Sequence, residues 1–140
     1  MSSESPNVRT VREVMRLMSE FRFDEAAQHL HEDVIVDCPY QAFHQGPLRR
    51  GRALVAAGFQ FVPMIFSSFR LHVDHVYDCP DDGSVVFEMH SEGVFAAGGG
   101  AYHNEYVMVF GFRHGKVVLW REYYNPKTMN DGMAFMLEFT

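Results

Sequence analysis

Residues 101–126, AYHNEYVMVFGFRHGKVVLWREYYNP, decide the fold. A period of two, interrupted at His114-Gly115, predicts a strand over Ala101–Arg113, a tight two-residue turn, and a last strand over residues 116–125 that Pro126 ends. Side chains at i and i+2 share a strand face. Tyr102, Tyr106, Met108, Phe110 and Phe112 therefore lie on one side, with Val107 and Val109 on the other. Val118, Trp120 and Tyr124 similarly oppose Val117, Leu119 and Tyr123. A sheet packed on helices along one side only would alternate more cleanly. The second face needs a cover, and a twin subunit is the simplest one, so a homodimer is expected.

Upstream, the period of two extends back to Phe69. Phe69, Leu71, Val73, His75 and Tyr77 alternate with Arg70, His72, Asp74 and Asp78, which would place His72 and His75 on opposite faces. Pro80-Asp-Asp-Gly83 supplies a turn, and residues 84–97 form a strand long enough to need a bend, expected at Gly93. Gly98-Gly-Gly100 makes the next hairpin; with no helix start behind it, it is no phosphate cradle. Earlier still the spacing is helical: Val8, Val11, Val14, Met15 and Met18 form one amphipathic face. A short helix over residues 25–30 follows, with Asp24 as N-cap. Residues 34–38 read as a short strand stopped by Pro39, and residues 40–50 as loop. A third helix spans about residues 52–66 and is bent or ended by Pro63. Residues 128–137 can form a terminal helix. Three segregated helices and a run of hairpins give an α+β fold, helices on one face of a curved antiparallel or mixed sheet, in one domain over residues 1–140.

Composition narrows the partners. Twelve Lys+Arg against eighteen Asp+Glu give a net charge of −6, and the one local cationic cluster is Arg49, Arg50 and Arg52, so nucleic acid is not an expected partner. No run approaches the ~18 apolar residues of a membrane span. The first residues lack a basic region and an apolar core, which predicts no signal peptide, and Cys38 and Cys79 show no zinc-ligand or CxxC spacing. A reducing cytoplasm is the expected compartment. Thirteen Phe and nine Met suit either a broad apolar pocket or a plain core.

Glu122 is the most suggestive single residue. It lies between Trp120 and Tyr124 on one strand face, where lost solvation raises a carboxyl toward the range of a general acid or base; the alternative is a strand-end ion pair. Glu88, His90 and Glu92 alternate onto one face opposite Phe87, Met89 and Phe95. Such a row is a solvated surface, or, if the sheet encloses a cavity, an acid–base network. Asp37 ends the first strand as a base or as a loop cap. Tyr102, Asn104 and Tyr106 share a face and offer two phenols and an amide, for packing or for a polar ligand group. The eight histidines reproduce no metal-ligand signature, and neither metal nor cofactor is expected.

These features together resemble the SnoaL-like group of the nuclear transport factor 2-like superfamily, the cone-shaped fold shared with ketosteroid isomerase and limonene-epoxide hydrolase. The carriers are the early helices, Asp33-Val-Ile-Val-Asp-Cys-Pro-Tyr40 before Gly51-Arg52, Tyr102-His-Asn-Glu-Tyr106, and Gly115 through Pro126. In limonene-epoxide hydrolases the last strand carries Trp-Arg-Asp-Tyr, whose Asp activates water; Trp120-Arg-Glu-Tyr123 puts Glu122 there. Their Arg-x-Asp falls on His90-Ser-Glu92 and their water-holding Asn on Asp37, so every polar slot is kept while every identity differs. Phenazine-biosynthesis proteins look similar around Arg121-Glu122-Tyr123, where a Glu does acid–base work. Ketosteroid isomerase matches less well: its base falls on Cys38, its oxyanion Tyr near Val14 and its acidic donor near Val107 or Met108.

The resemblance implies cofactor-free acid–base chemistry (isomerisation, hydration or cyclisation) on a hydrophobic oxygenated small molecule. Glu122, His90, Glu92 and Asp37 would be catalytic. Val14, Met18, Phe59, Asn104, Tyr106, Met108, Trp120 and Tyr124 would contact the substrate. The alternative is a non-catalytic ligand-binding or dimeric interaction module of the same fold.

Overall fold

The computed structural model describes residues 3–41, 46–129 and 131. Helix α1 (Pro6–Ser19) starts where Ser5 accepts a hydrogen bond from the Val8 amide at 3.2 Å, with Pro6 at its first turn. Its buried face is Val8, Val11, Val14, Met15, Leu17 and Met18, the stripe its spacing predicts. Helix α2 (Phe23–Ala27) begins before Asp24, which therefore lies in the first turn rather than at the cap. Strand β1 (Leu30–Asp37) starts four residues before its expected position, and a two-residue strand β2 (Arg49–Arg50) forms inside the expected loop. The third expected helix is two helices, α3 (Arg52–Phe59) and α4 (Val62–Ile65), with Pro63 in the first turn of α4. The expected terminal helix over residues 128–137 lies mostly outside the described residues.

The rest is a meander of long strands: β3 (Phe66–Cys79), β4 (Ser84–Phe95), β5 (Ala101–Arg113) and β6 (Lys116–Tyr124). The six strands run in the order β2-β1-β6-β5-β4-β3, all neighbours antiparallel except β1 with β6. His114 and Gly115 both take positive φ (53° and 75°), the primed-turn geometry that matches strand twist in a two-residue hairpin.

The register shifts of the β3–β4 hairpin fall in β3, and none falls at Gly93. The β3–β4 register shifts between Phe66 and Ser68 and again between Val73 and His75. These bulges bend the strand and flip its faces. Beyond the second bulge Val76 packs toward the core, while His75 and Tyr77 join His72 on the opposite face, against the simple alternation. Gly93 instead makes room: a Cβ there would come within 3.2–3.3 Å of the Phe66 and Phe69 rings.

The helices close the concave face. Ser19 ties α1 to β3, its hydroxyl accepting from the Leu71 amide at 2.9 Å and donating to the Met15 carbonyl at 2.8 Å. The main core runs from α1 through β1, β4, β5 and β6, and includes the fully buried Phe87, Met108 and Phe110. A second cluster of Phe66, Phe95 and Tyr102 fills the other end of the sheet.

Candidate active site

A cavity of about 270 Å³ opens between the concave face and α1, α3 and α4. The sheet contributes Val36, Met89, Tyr106, Trp120 and Glu122, and β3 adds Phe66, Phe69 and Leu71. Met18, Val55, Phe59, Val62 and Ile65 come from the helices. Two charged side chains, Glu122 and Arg49, border this otherwise mostly apolar space.

Strand pairing explains both positions. Glu122 stands opposite Met108 on the inward face of β6, between Trp120 and Tyr124. Arg49 stands opposite Val36 across β1–β2 and so shares its inward face. Gly58 admits the guanidinium, since a Cβ at that position would lie 2.6 Å from Arg49 Nε.

Glu122 Oε1 accepts a hydrogen bond from Trp120 Nε1 at 2.7 Å, and among the described residues no group bonds its second oxygen. The side chain keeps some surface toward the cavity but is deeply enclosed. Burial raises its carboxyl above the ordinary 4.5, and the Trp120 N–H only partly opposes that rise. Its neighbours respond to the same enclosure. Burial pushes the Cys38 thiol and the Tyr124 phenol each up to about 12, and the charge of an ionised Glu122 pushes in the same direction.

Beside Glu122 lies a closed polar chain. The Tyr106 hydroxyl and Ser91 Oγ share a 2.8 Å hydrogen bond, and Asn104 Nδ2 donates to the Tyr102 hydroxyl at 2.7 Å and to the Asn125 carbonyl at 3.1 Å. Asn104 Oδ1 in turn accepts from the Glu105 and Asn125 amides. Asn104 is thus spent on fixing the end of β6 beneath the site, with Tyr106 presented at the wall.

The structure brings together part of the sequence-derived set. Glu122, Met18, Phe59, Tyr106 and Trp120 all border the cavity. Val14 and Met108 lie behind the wall in the packed core, and Tyr124 and Asn104 stand beside it. His90, Glu92 and Asp37 do not converge on Glu122. On β4 the inward residues are Val85, Phe87, Met89, Ser91, Gly93 and Phe95, so His90 and Glu92 point out through the opposite face. There His90 Nδ1 meets the Asp74 carboxylate at 2.7 Å, which raises the imidazole pKa. Asp37 accepts from Arg121 Nε at 3.1 Å on that same outer face, because the inward positions of β1 are Val34, Val36 and Cys38. The strand period places Cys38, one residue on, inside instead. Arg49 escaped the sequence reading because its inward direction depends on a two-residue strand that no periodicity announces.

A curved, unclosed sheet capped by helices around an apolar hollow is the α+β fold of solved nuclear transport factor 2-like proteins. The chain belongs to the SnoaL-like domain family, whose model matches residues 11–120. Three of the many solved structures that share the fold show its range. A candidate isomerase of Bacillus subtilis is 24% identical, with a TM-score of 0.82 and 96% of each chain covered. An epoxide hydrolase of the limonene-epoxide hydrolase-like kind from M. tuberculosis is 17% identical, with a TM-score of 0.73 over 94% of this chain and 92% of that one. TerC, crystallised with polyporic acid, is 17% identical, with a TM-score of 0.78 over 93% of this chain and 99% of the other. At these identities the likeness establishes fold alone.

Proposed function

We propose that the cavity is the active site of a cofactor-free acid–base enzyme acting on a hydrophobic, oxygenated small molecule. The observation that carries the reading is Glu122, a carboxyl enclosed among apolar walls, held on one oxygen by Trp120 and open on the other. Burial keeps a proton on this group at pH values where an exposed Glu has lost it. In the forward direction it delivers that proton to a substrate oxygen or carbon, and the resulting carboxylate takes one back. Isomerisation needs only that exchange; in hydration a water molecule, and in ring closure a nucleophilic atom of the substrate itself, forms the new bond and gives up its proton to the carboxylate. Met18, Phe59, Tyr106 and Trp120 hold the apolar body of the substrate, and Arg49 receives an oxygen that carries negative charge. A ligand that is apolar through its middle and anionic at one end fits this arrangement. TerC, which shares the fold, was co-crystallised with a small-molecule acid, polyporic acid.

His90, Glu92 and Asp37 are absent from this scheme, since the sheet separates them from the cavity. Their absence also favours a second reading, a binding module that holds the same ligand without chemistry. A panel of hydrophobic ketones, epoxides and aromatic carboxylic acids, followed for product and for proton exchange in deuterated solvent, distinguishes the two. Glu122→Gln is expected to lower turnover by about 10²–10⁴-fold while ligand affinity persists. Wild-type turnover in that variant would overturn the catalytic assignment, and affinity without any product in the native chain would establish the binding module.

We propose further that the outer sheet face pairs with a second copy of the chain. Val94, Val107 and Tyr77 remain exposed there, and the exposed Tyr40 packs edge-on against Tyr123 at 5.4 Å.

A further inference from the structure

His90 and Glu92, excluded from the cavity, meet a third residue on the outer face. His72 on β3 pairs directly with His90 on β4, and the two rings stack with centroids 4.7 Å apart. Glu92, two residues along the same strand face, reaches both. Its Oε2 lies 3.6 Å from His72 Nε2 and its Oε1 3.7 Å from His90 Nε2. The three ligand atoms all fall within 4.8 Å of one another.

Two further observations point to an occupant. His72 Nε2 is itself shielded from solvent, on a side chain that is 43% exposed, and its approach to Glu92 at 3.6 Å is too long for a hydrogen bond, which leaves the nitrogen unsatisfied. His90 is held from behind, its Nδ1 bonded to both Asp74 oxygens at 2.7 and 2.9 Å, which leaves Nε2 directed away toward Glu92. A carboxylate gripping the far nitrogen of an imidazole is the second shell that fixes tautomer and orientation in histidine-ligated metal sites. Among the described residues the carboxylates Asp74, Glu92 and Glu105 stand around the cluster with Arg70 and the imidazole of His103, more acid than base, which suits a dication.

We propose that His72, His90 and Glu92 form a surface site for a divalent transition metal of the zinc type. Two imidazole nitrogens and a carboxylate are a borderline donor set that suits zinc better than calcium or magnesium. In a tetrahedral zinc site ligand atoms sit about 3.3–3.5 Å apart. With one ligand atom from each residue the three lie within 4.8 Å of one another, so binding draws them together by up to roughly an ångström and turns the stacked rings toward the ion. Binding displaces any Nε2 proton of His90 to solvent, keeps the Nδ1 proton on the bond to Asp74, and engages His72 through the Nε2 lone pair. Solvent water completes the fourth position. Sequence spacing gave no signature because the ligands belong to two strands and are joined only by their register.

Isothermal titration of the full chain with Zn²⁺, in buffer free of chelators, tests the site. One ion per chain at micromolar affinity or tighter is expected. His72→Ala and Glu92→Gln should each weaken binding at least tenfold, and Asp74→Asn by about 10–100-fold. All three positions lie on the sheet surface, and far-UV circular dichroism checks that the variants fold. Co²⁺ added to the native chain should give the visible bands of a tetrahedral ion, an independent readout if a variant misfolds. No stoichiometric Zn²⁺ binding, or equal affinity in His72→Ala and Glu92→Gln, would overturn the proposal.

Discussion

At residue scale, Glu122 carries a stability signature that can be separated from its chemistry. In the unfolded chain the carboxyl titrates near its ordinary 4.5; in the folded chain burial raises it. Below 4.5 both states are protonated and the group contributes no pH dependence. As pH rises past 4.5 the unfolded chain ionises first and is favoured. Stability therefore falls until the folded carboxyl also ionises, and is flat above that. Glu122→Gln keeps an acceptor for Trp120 Nε1 and removes the titration. Its stability relative to the native chain should rise from pH 4.5 upward, by about 1.4 kcal/mol for each tenfold increase in proton affinity that burial produces. Urea unfolding of both proteins at a series of pH values measures the difference. Carboxylates held low by arginines, such as Glu13 beside Arg16, cancel in it. Glu122 was legible from sequence because two aromatic neighbours at i±2 already imply its desolvation. Asp37 took its site role from the resemblance, and the strand phase set by inward Val36 and Cys38 puts it on the outer face; one residue of phase exchanges the two faces of a sheet.

Elements set the limits of that legibility. The amphipathic stripe of α1 and the hairpins of β4, β5 and β6 follow from local periodicity, and the structure keeps them within a residue or two. The bulges of β3 do not, since an inserted residue changes phase without any residue type marking it. They alone put His72 and His75 on one side. Arg49 is a similar case: β2 exists only through its pairing with Ile35 and Val36. The contact between Arg49 and α3 yields a prediction of opposite signs. Gly58 lies inside α3, where alanine is favoured over glycine by about 1 kcal/mol. Its new Cβ, however, would collide with the Arg49 guanidinium and force that flexible end out of the cavity wall. Gly58→Ala is thus expected to raise the melting temperature by a few degrees while weakening an anionic cavity ligand about tenfold. Thermal scans paired with displacement of a fluorescent anionic naphthalene probe read both. A variant that binds the probe as tightly as the native chain would remove Arg49 from the ligand site.

At the scale of the whole molecule, six of the eight exposed large apolar side chains among the described residues fall into two groups. Leu48 lines the cavity, and Phe61 at the start of helix α4 and Met64 within it stand on the helical side of the molecule. Tyr77, Val94 and Val107 lie on the outer face of the sheet, interleaved with Glu88, Glu105 and Arg121. That mixture resembles the composition of a protein interface, apolar patches within a charged surround. Val107 sits on β5 near the middle of the sheet, where a face-to-face pairing would bury it against its own symmetry mate. A charge at that point would meet an identical charge across the two-fold axis. Val107→Glu is therefore expected to convert a particle of twice 16.1 kDa into one of 16.1 kDa, read by light scattering across a dilution series. Because Val107 points away from the cavity, the monomeric variant should retain ligand affinity. A native chain that scatters as a monomer at all concentrations would remove the second copy from the model of the outer face, leaving Glu122 and its cavity untouched.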